Sequence, residues 1–253
     1  MTARVASATG RPTIVFLHFL GGSADSWKPV EDILAFRFRC RRFDLPGFGG
    51  SPHREGQAVA EMADRVVAAM GGTAPTRWIV AGHSMGAKVA LLLARRAENG
   101  DERLSGLRGV VSVAGSPPGP EPMEDDKRAE MLRWFAGDEA SSRREADGYV
   151  RNNVGAELPR ERHEAAVADV LRAERHAWRR WLTHGSREDL RGEVGELAVP
   201  ALVIVGGADE ALGEDAQREH TLPHLRHHEL AVLPGLGHLL PIEAPEEVAE
   251  RIA

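Results

Sequence analysis

The sequence predicts an α/β protein: a mostly parallel central sheet flanked by helices. Three observations carry that prediction. Short β-branched runs alternate with amphipathic stretches at both ends of the chain, the pattern of strands joined by helical crossovers. The strand-like runs are continuously apolar, as strands covered on both faces are. Between residues 120 and 197 the alternation stops, and only helical stretches dense in Arg and Glu remain. The economical division is a core built from residues 1–118 and 198–253, with residues 119–197 as a helical cap inserted between two strands.

The elements follow in order. Residues 13–18 (TIVFLH) form the first buried strand, and residues 37–44 (RFRCRRFD) the second, with Phe38, Cys40 and Arg42 facing one way. That strand stops at the turn signal Leu45-Pro46-Gly47. Residues 55–70 carry Val59, Met62, Val66, Val67 and Met70 at helical spacing, ended by Gly71-Gly72. A strand at 77–81, an Ala- and Leu-rich helix at 85–97 and a strand at 107–114 come next, before the punctuation Ser116-Pro117-Pro118-Gly119-Pro120. In the strand-free segment, Val167, Val170, Leu171, Ala177, Trp178, Trp181 and Leu182 make an apolar stripe opposite a charged face. The alternation resumes with a strand at 199–205, a helix around 214–220, a strand at 228–233 and a helix from Pro245.

Composition narrows the function. With 32 basic and 38 acidic residues in 253, the net charge is 32 − 38 = −6, which offers no footprint for nucleic acid. A single cysteine, Cys40, rules out a disulfide framework and a multi-thiolate metal site. No apolar run is long enough for a signal-peptide core or a membrane span, so a cytoplasmic protein is expected. No metal ligand set is expected either. His220, His224, His227 and His228 are interrupted by Pro223 and lack a supporting carboxylate or thiol pattern.

The chemistry gathers at three loops. Gly82, Ser84 and Gly86 match G-x-S-x-G between a strand and a helix, where a sharp turn needs neighbours without side chains. The helix N-terminus there favours negative charge beside Ser84. Asp209 stands at the C-terminal end of the strand at 199–205, where catalysts collect in open α/β sheets. His238, in GLGHLLP after the last strand, is flanked by glycines that suit a mobile imidazole. The order Ser84, Asp209, His238 suits a nucleophile, an orienting acid and a general base. The backbone N–H of Met85 and of Leu20, in the loop after the first strand, are the candidate oxyanion donors. His83 is expected to pack or hydrogen-bond behind the turn.

Taken together, LHFLGGSADSW (17–27), DLPGFGGS (44–51), GHSMG (82–86), GGADE (206–210) and GLGHLLPIEAPEEVA (235–249) resemble the α/β-hydrolase fold family over almost the whole chain. The resemblance implies the branch with a helical cap after the sixth strand, no cofactor, and structural roles for Asp25 and Asp44 in tying loops to backbone. It departs at His18-Phe19, where many relatives have His-Gly. Phe19 is therefore expected to narrow the acyl end of the pocket. Relatives that cleave carbon–halogen bonds or epoxides carry a carboxylate at the elbow, and Ser84 argues against those activities.

The expected function is a serine esterase acting on small to medium acyl groups through an acyl-enzyme. Perhydrolase, lactonase, carbon–carbon hydrolase and acyltransferase activities use the same three groups, and a ligand-sensing protein could use the same fold. Ester turnover separates that last class from the enzymes. Trp134, Phe135, Tyr149, Trp178 and Trp181 of the cap, with Phe19, are the expected substrate-binding residues, making an enclosed apolar pocket without interfacial activation. The expected partner is a small-molecule ester, with no nucleic acid and no membrane; a monomer or homodimer is expected.

Overall fold

The computed structural model describes residues 10–51, 58–71 and 74–253, so positions 55–57 of the helix expected at 55–70 lie outside the described residues. Six strands are described: β1 (Thr13–Leu17), β2 (Arg39–Phe43), β3 (Trp78–His83), β4 (Leu107–Val113), β5 (Ala201–Gly206) and β6 (His228–Leu233). They form one sheet in the order β2-β1-β3-β4-β5-β6, and every pairing is parallel. The chain thus leaves β1 toward one edge and returns through β3 toward the other. Such a reversal opens a crevice at the carboxyl ends of β1 and β3, where open α/β sheets bind their ligands.

Alternate residues of each strand serve opposite layers. Ile14 and Phe16 of β1 face a core that also takes Trp27, Ala81, Val111, Val113 and Ile204. That layer is closed by α1 (Lys28–Leu34) and by two helices at the end of the chain. Val15 and Leu17 face the other layer, shared with α2 (Val59–Ala69) and α3 (Met85–Glu98). α3 is buried on all sides from Met85 to Ala94, which explains its run of Ala and Leu. The sequence offers no periodic signal for α1, because its seven residues bury only Val30 and Leu34. Phe38 and Cys40 do share the α1 face, and Arg42 pairs there with Glu31.

Between β4 and β5 lie α4 (Asp125–Arg133), α5 (Glu139–Arg151), α6 (Arg160–Arg172), α7 (Arg175–Thr183) and the short α8 (Arg191–Val194). Counted along this chain, the helical segment follows the fourth described strand, not a sixth. Its buried side chains, Tyr149, Val167, Trp178 and Trp181 among them, join the same apolar cluster as Val15 and Leu17. The remaining helices are α9 (Glu214–His220), α10 (Leu240–Glu243) and α11 (Pro245–Ile252). Among the described residues no helix is long and apolar enough to cross a membrane.

Candidate active site

Ser84 sits at the crevice, between the end of β3 and the first turn of α3. Its backbone has φ 51° and ψ −118°, a conformation that ordinary L-residues avoid. The turn is held by its own backbone: Ser84 N–H donates to the Val113 carbonyl (3.0 Å), and the Ser84 carbonyl accepts from Ala87 (2.9 Å) and Ser116 (3.1 Å). The flanking glycines are required by close approach. A Cβ on Gly82 would lie 2.3 Å from the Gly86 carbonyl oxygen, and one on Gly86 would lie 2.5 Å from that of Leu17.

Asp209 follows β5 and His238 follows β6, and the structure brings them together. His238 Nδ1 donates to Asp209 Oδ2 at 2.7 Å, leaving Nε2 as the acceptor. The other carboxylate oxygen accepts from the N–H of Ala211 and of Leu212, each at 3.0 Å. Burial alone would raise the Asp209 pKa; the charge and hydrogen bond of His238, with those two N–H groups, outweigh it and hold the value down to about 2. Burial likewise opposes the His238 imidazolium. Asp209 and the more distant charge of Glu121 outweigh it, so the histidine pKa lies above its ordinary value. No hydrogen bond joins Ser84 to His238 among the described residues; both line one cavity. Such contacts commonly tighten only once substrate is bound.

The glycines around His238 have a packing role that the sequence did not suggest. They let two backbones meet: a Cβ on Gly237 would lie 2.6 Å from the Gly155 nitrogen. The Asn153 carbonyl accepts from His238 N–H (2.8 Å) and Leu239 N–H (3.0 Å), and Glu243 accepts from Gly237, Gly155 and Ala156. His83 is fully buried behind the elbow, with Nε2 donating to the His238 carbonyl at 2.8 Å. Asn153 and Glu243 escaped the sequence reading, because nothing local links them to His238.

Of the candidate oxyanion donors, Leu20 lines the cavity, whereas the Met85 side chain is buried in the core. The Met85 N–H is the first of α3, and neither it nor the Leu20 N–H meets an acceptor among the described residues. The loop bearing Leu20 is pinned by the Tyr149 hydroxyl, which donates to the Leu20 carbonyl (3.0 Å). His18 pins it from below: Leu45 N–H donates to Nε2 (2.9 Å), so Nδ1 carries the proton given to the Phe19 carbonyl (2.7 Å). Asp44 ties loops to backbone as expected, accepting from Ala24 (2.6 Å) and Gly50 (2.9 Å). Asp25 instead pairs with the Arg42 side chain.

A cavity of about 700 Å³ opens over Ser84, His238 and Asp209. From the helical segment, Met131, Trp134, Tyr149 and Trp181 line it. Three expected substrate-binding residues do not. Phe19 is buried beneath Gly22, whose added Cβ would meet its ring at 2.5 Å, and packs 5.0 Å from the His83 ring. Phe135 and Trp178 pack on one another, centroids 5.1 Å apart, and Trp178 donates to the Met131 carbonyl (3.0 Å). The lining is also less apolar than expected, because Glu121, Glu124, Lys127 and Glu210 contribute to it. Burial pushes the Glu121 carboxyl above its ordinary pKa, against a hydrogen bond from Ser116 and the charges of Lys88 and Arg128.

The fold and this arrangement define a class, and the chain belongs to the alpha/beta hydrolase family, whose sequence model matches residues 14–251. Among curated proteins, it is 30% identical over 211 residues to a pimeloyl-acyl-carrier-protein methyl ester esterase of Methylococcus capsulatus, covering 78% of this chain and 76% of that one. The esterase of the same description from Nitrosomonas europaea is 25% identical, covering 93% and 92%. The biotin biosynthesis bifunctional protein BioHC of Cellvibrio japonicus is also 25% identical, covering 96% of this chain, which spans only 47% of that relative. Among solved structures, an esterase from Exiguobacterium antarcticum superposes with TM-score 0.80 at 18% identity, covering 95% of this chain and 90% of the other.

Proposed function

We propose that the protein is a serine hydrolase that cleaves carboxylic esters of small to medium acyl groups, with Ser84 as nucleophile, His238 as general base and Asp209 as the acid that orients it. The observation that carries this is the 2.7 Å Asp209–His238 hydrogen bond facing, across one cavity, a serine held at φ 51°. With its Nδ1 proton committed to Asp209, His238 Nε2 accepts the Ser84 proton as the oxygen attacks the ester carbonyl. The Met85 and Leu20 N–H groups then stabilise the oxyanion. His238 returns its proton to the departing alcohol, and water, deprotonated by the same nitrogen, releases the acid. The wall of Met131, Trp134, Tyr149 and Trp181 suits an acyl chain, and the esterase descriptions of two relatives favour methyl esters among the alcohols to test.

The test is Ser84→Ala together with labelling. Because such groups act as a unit, the alanine variant should lose on the order of 10⁴–10⁶ in kcat on p-nitrophenyl butyrate. An active-site-directed phosphonate should modify Ser84 alone by peptide mass. An alanine variant that turns over like the wild type sinks the reading.

A further inference from the structure

Lys88 is a fully buried lysine that the proposed chemistry does not use. It lies one helical turn after Ser84 in α3, inside the run of buried residues from Met85 to Ala94. Removing an ammonium from water is costly unless its donors are satisfied. Here Nζ donates to the carbonyl oxygens of Gly119 (2.9 Å) and Glu188 (2.6 Å). These carbonyls are 188 − 119 = 69 residues apart, close to the two ends of the helical segment between β4 and β5.

The two ends run side by side where Lys88 meets them. Leu190 N–H donates to the Pro118 carbonyl (2.8 Å), and Glu121 N–H to that of Ser186 (2.8 Å). Arg128 of α4 adds bonds to Ser186 Oγ and the Leu182 carbonyl, both 2.6 Å. The Glu188 side chain accepts from Val59 N–H at the start of α2 (3.1 Å). Glu121, two residues beyond Gly119, is already a wall of the cavity, followed by Met131 and Trp134 on α4 and just after it. One side chain on the nucleophile helix therefore meets both ends of the segment that encloses the serine.

We propose that Lys88 is a positioning residue that fixes both ends of the 119–197 segment to the helix carrying Ser84, and so sets which acyl chains fit beneath that segment. The proposal rests on the ester-hydrolase reading above. Burial lowers the Lys88 pKa to about 8, against the nearby charges of Glu121, Glu188 and Asp189. A neutral amine still has two N–H donors for two carbonyls, so the tie survives loss of the proton. A hydrocarbon of similar length would pack as well there yet could not hold either carbonyl.

The experiment compares wild type, Lys88→Met and Lys88→Arg on p-nitrophenyl acetate, butyrate and octanoate, with phosphonate labelling of Ser84 and thermal melting. Lys88→Met should label Ser84 and hydrolyse the acetate within about threefold of wild type, because a two-carbon acyl group does not need the far wall. Its discrimination among the three chains in kcat/KM should flatten about tenfold, mainly through KM, and Lys88→Arg should recover part of the profile. Should Lys88→Met fail to fold, Lys88→Gln, whose amide nitrogen ends one bond short of the ammonium and so loosens both ties, carries the same comparison. Equal losses on all three esters, an unchanged profile, or unfolding of both variants would each overturn the proposal. Failure of the ester-hydrolase reading shows separately, as acetate turnover that survives Ser84→Ala.

Discussion

Replacing Asp209 by Asn tests the proposed division of labour most sharply, because the structure dictates how the amide must sit. In the wild type one carboxylate oxygen accepts from two backbone N–H groups, of Ala211 and Leu212, and the other accepts from His238 Nδ1. An asparagine keeps a single acceptor oxygen. Two fixed N–H donors claim it, so the amide nitrogen turns toward His238. That nitrogen is a donor, and Nδ1 must become an acceptor, which moves the imidazole proton to Nε2. The ring then presents a proton to Ser84 where it should take one away. The same inversion in a Ser-His-Asp triad costs about 10⁴ in kcat, equivalent to roughly 5.4 kcal/mol of transition-state stabilisation at 1.36 kcal/mol per decade. KM should change little. Steady-state kinetics on p-nitrophenyl butyrate measure both, with circular dichroism to show that the fold is kept. An Asn variant within tenfold of wild type would refute the reasoning and make Glu121, whose charge also reaches His238, the next acid to test.

Two further outcomes follow from the geometry. Gly82→Ala places a Cβ 2.3–2.4 Å from backbone atoms of Gly86 and Ala87; overpacking of that kind costs ~1–3 kcal/mol, so melting should fall by several degrees and turnover with it, whereas Gly148→Ala, inside α5 with nothing within 4 Å, should melt at or slightly above the wild-type temperature. The pH profile has a definite sign. His238 works as a base only when neutral, and Asp209 and Glu121 raise its pKa above the ordinary imidazole value, so kcat/KM should be lost as pH falls through that raised pKa. Glu121→Gln removes one of the charges that raise it and should move that midpoint down; a wild-type profile with no acid limb contradicts the assignment.

What was legible in the sequence was what local pattern decides. A buried strand announces itself by a β-branched run, and β6 and α9 fall where the spacing put them. Ser84, Asp209 and His238 were legible because each ends or follows a strand and carries its own glycine punctuation. Their supports were not. Tyr149 reaches Leu20 across 129 residues and Lys88 reaches Glu188 across 100, separations that no window registers. The pocket lining was misjudged for a related reason. Aromatic content marks a segment that buries surface but not the direction in which each ring points, and Phe135 and Trp178 bury theirs against one another. Lys88 did leave a trace, as the one basic residue inside an apolar run of α3.

The hydrogen bonds far from Lys88 decide whether the helical segment acts as a swinging lid. Along its length it is joined to the rest of the molecule by Tyr149 to Leu20, by Asn153 to His238 and Leu239, and by Gly155 and Ala156 to Glu243. Arg162 to Ile242, Ser23 to Asp169 and Glu174 to Gly47 complete the seam. At about 1 kcal/mol net for each of these eight bonds, lifting the segment whole costs ~8 kcal/mol before any apolar surface is exposed. A state that costly is populated in fewer than about one molecule in 10⁵. It would also dismantle the site, since Asn153 holds the backbone of His238 and Tyr149 holds the loop of Leu20. The same contacts that enclose the cavity therefore position its chemistry. Glu124, Lys127 and Glu210 are exposed lining residues, so the cavity meets solvent on that charged side, and a substrate that leaves the seam intact would enter there.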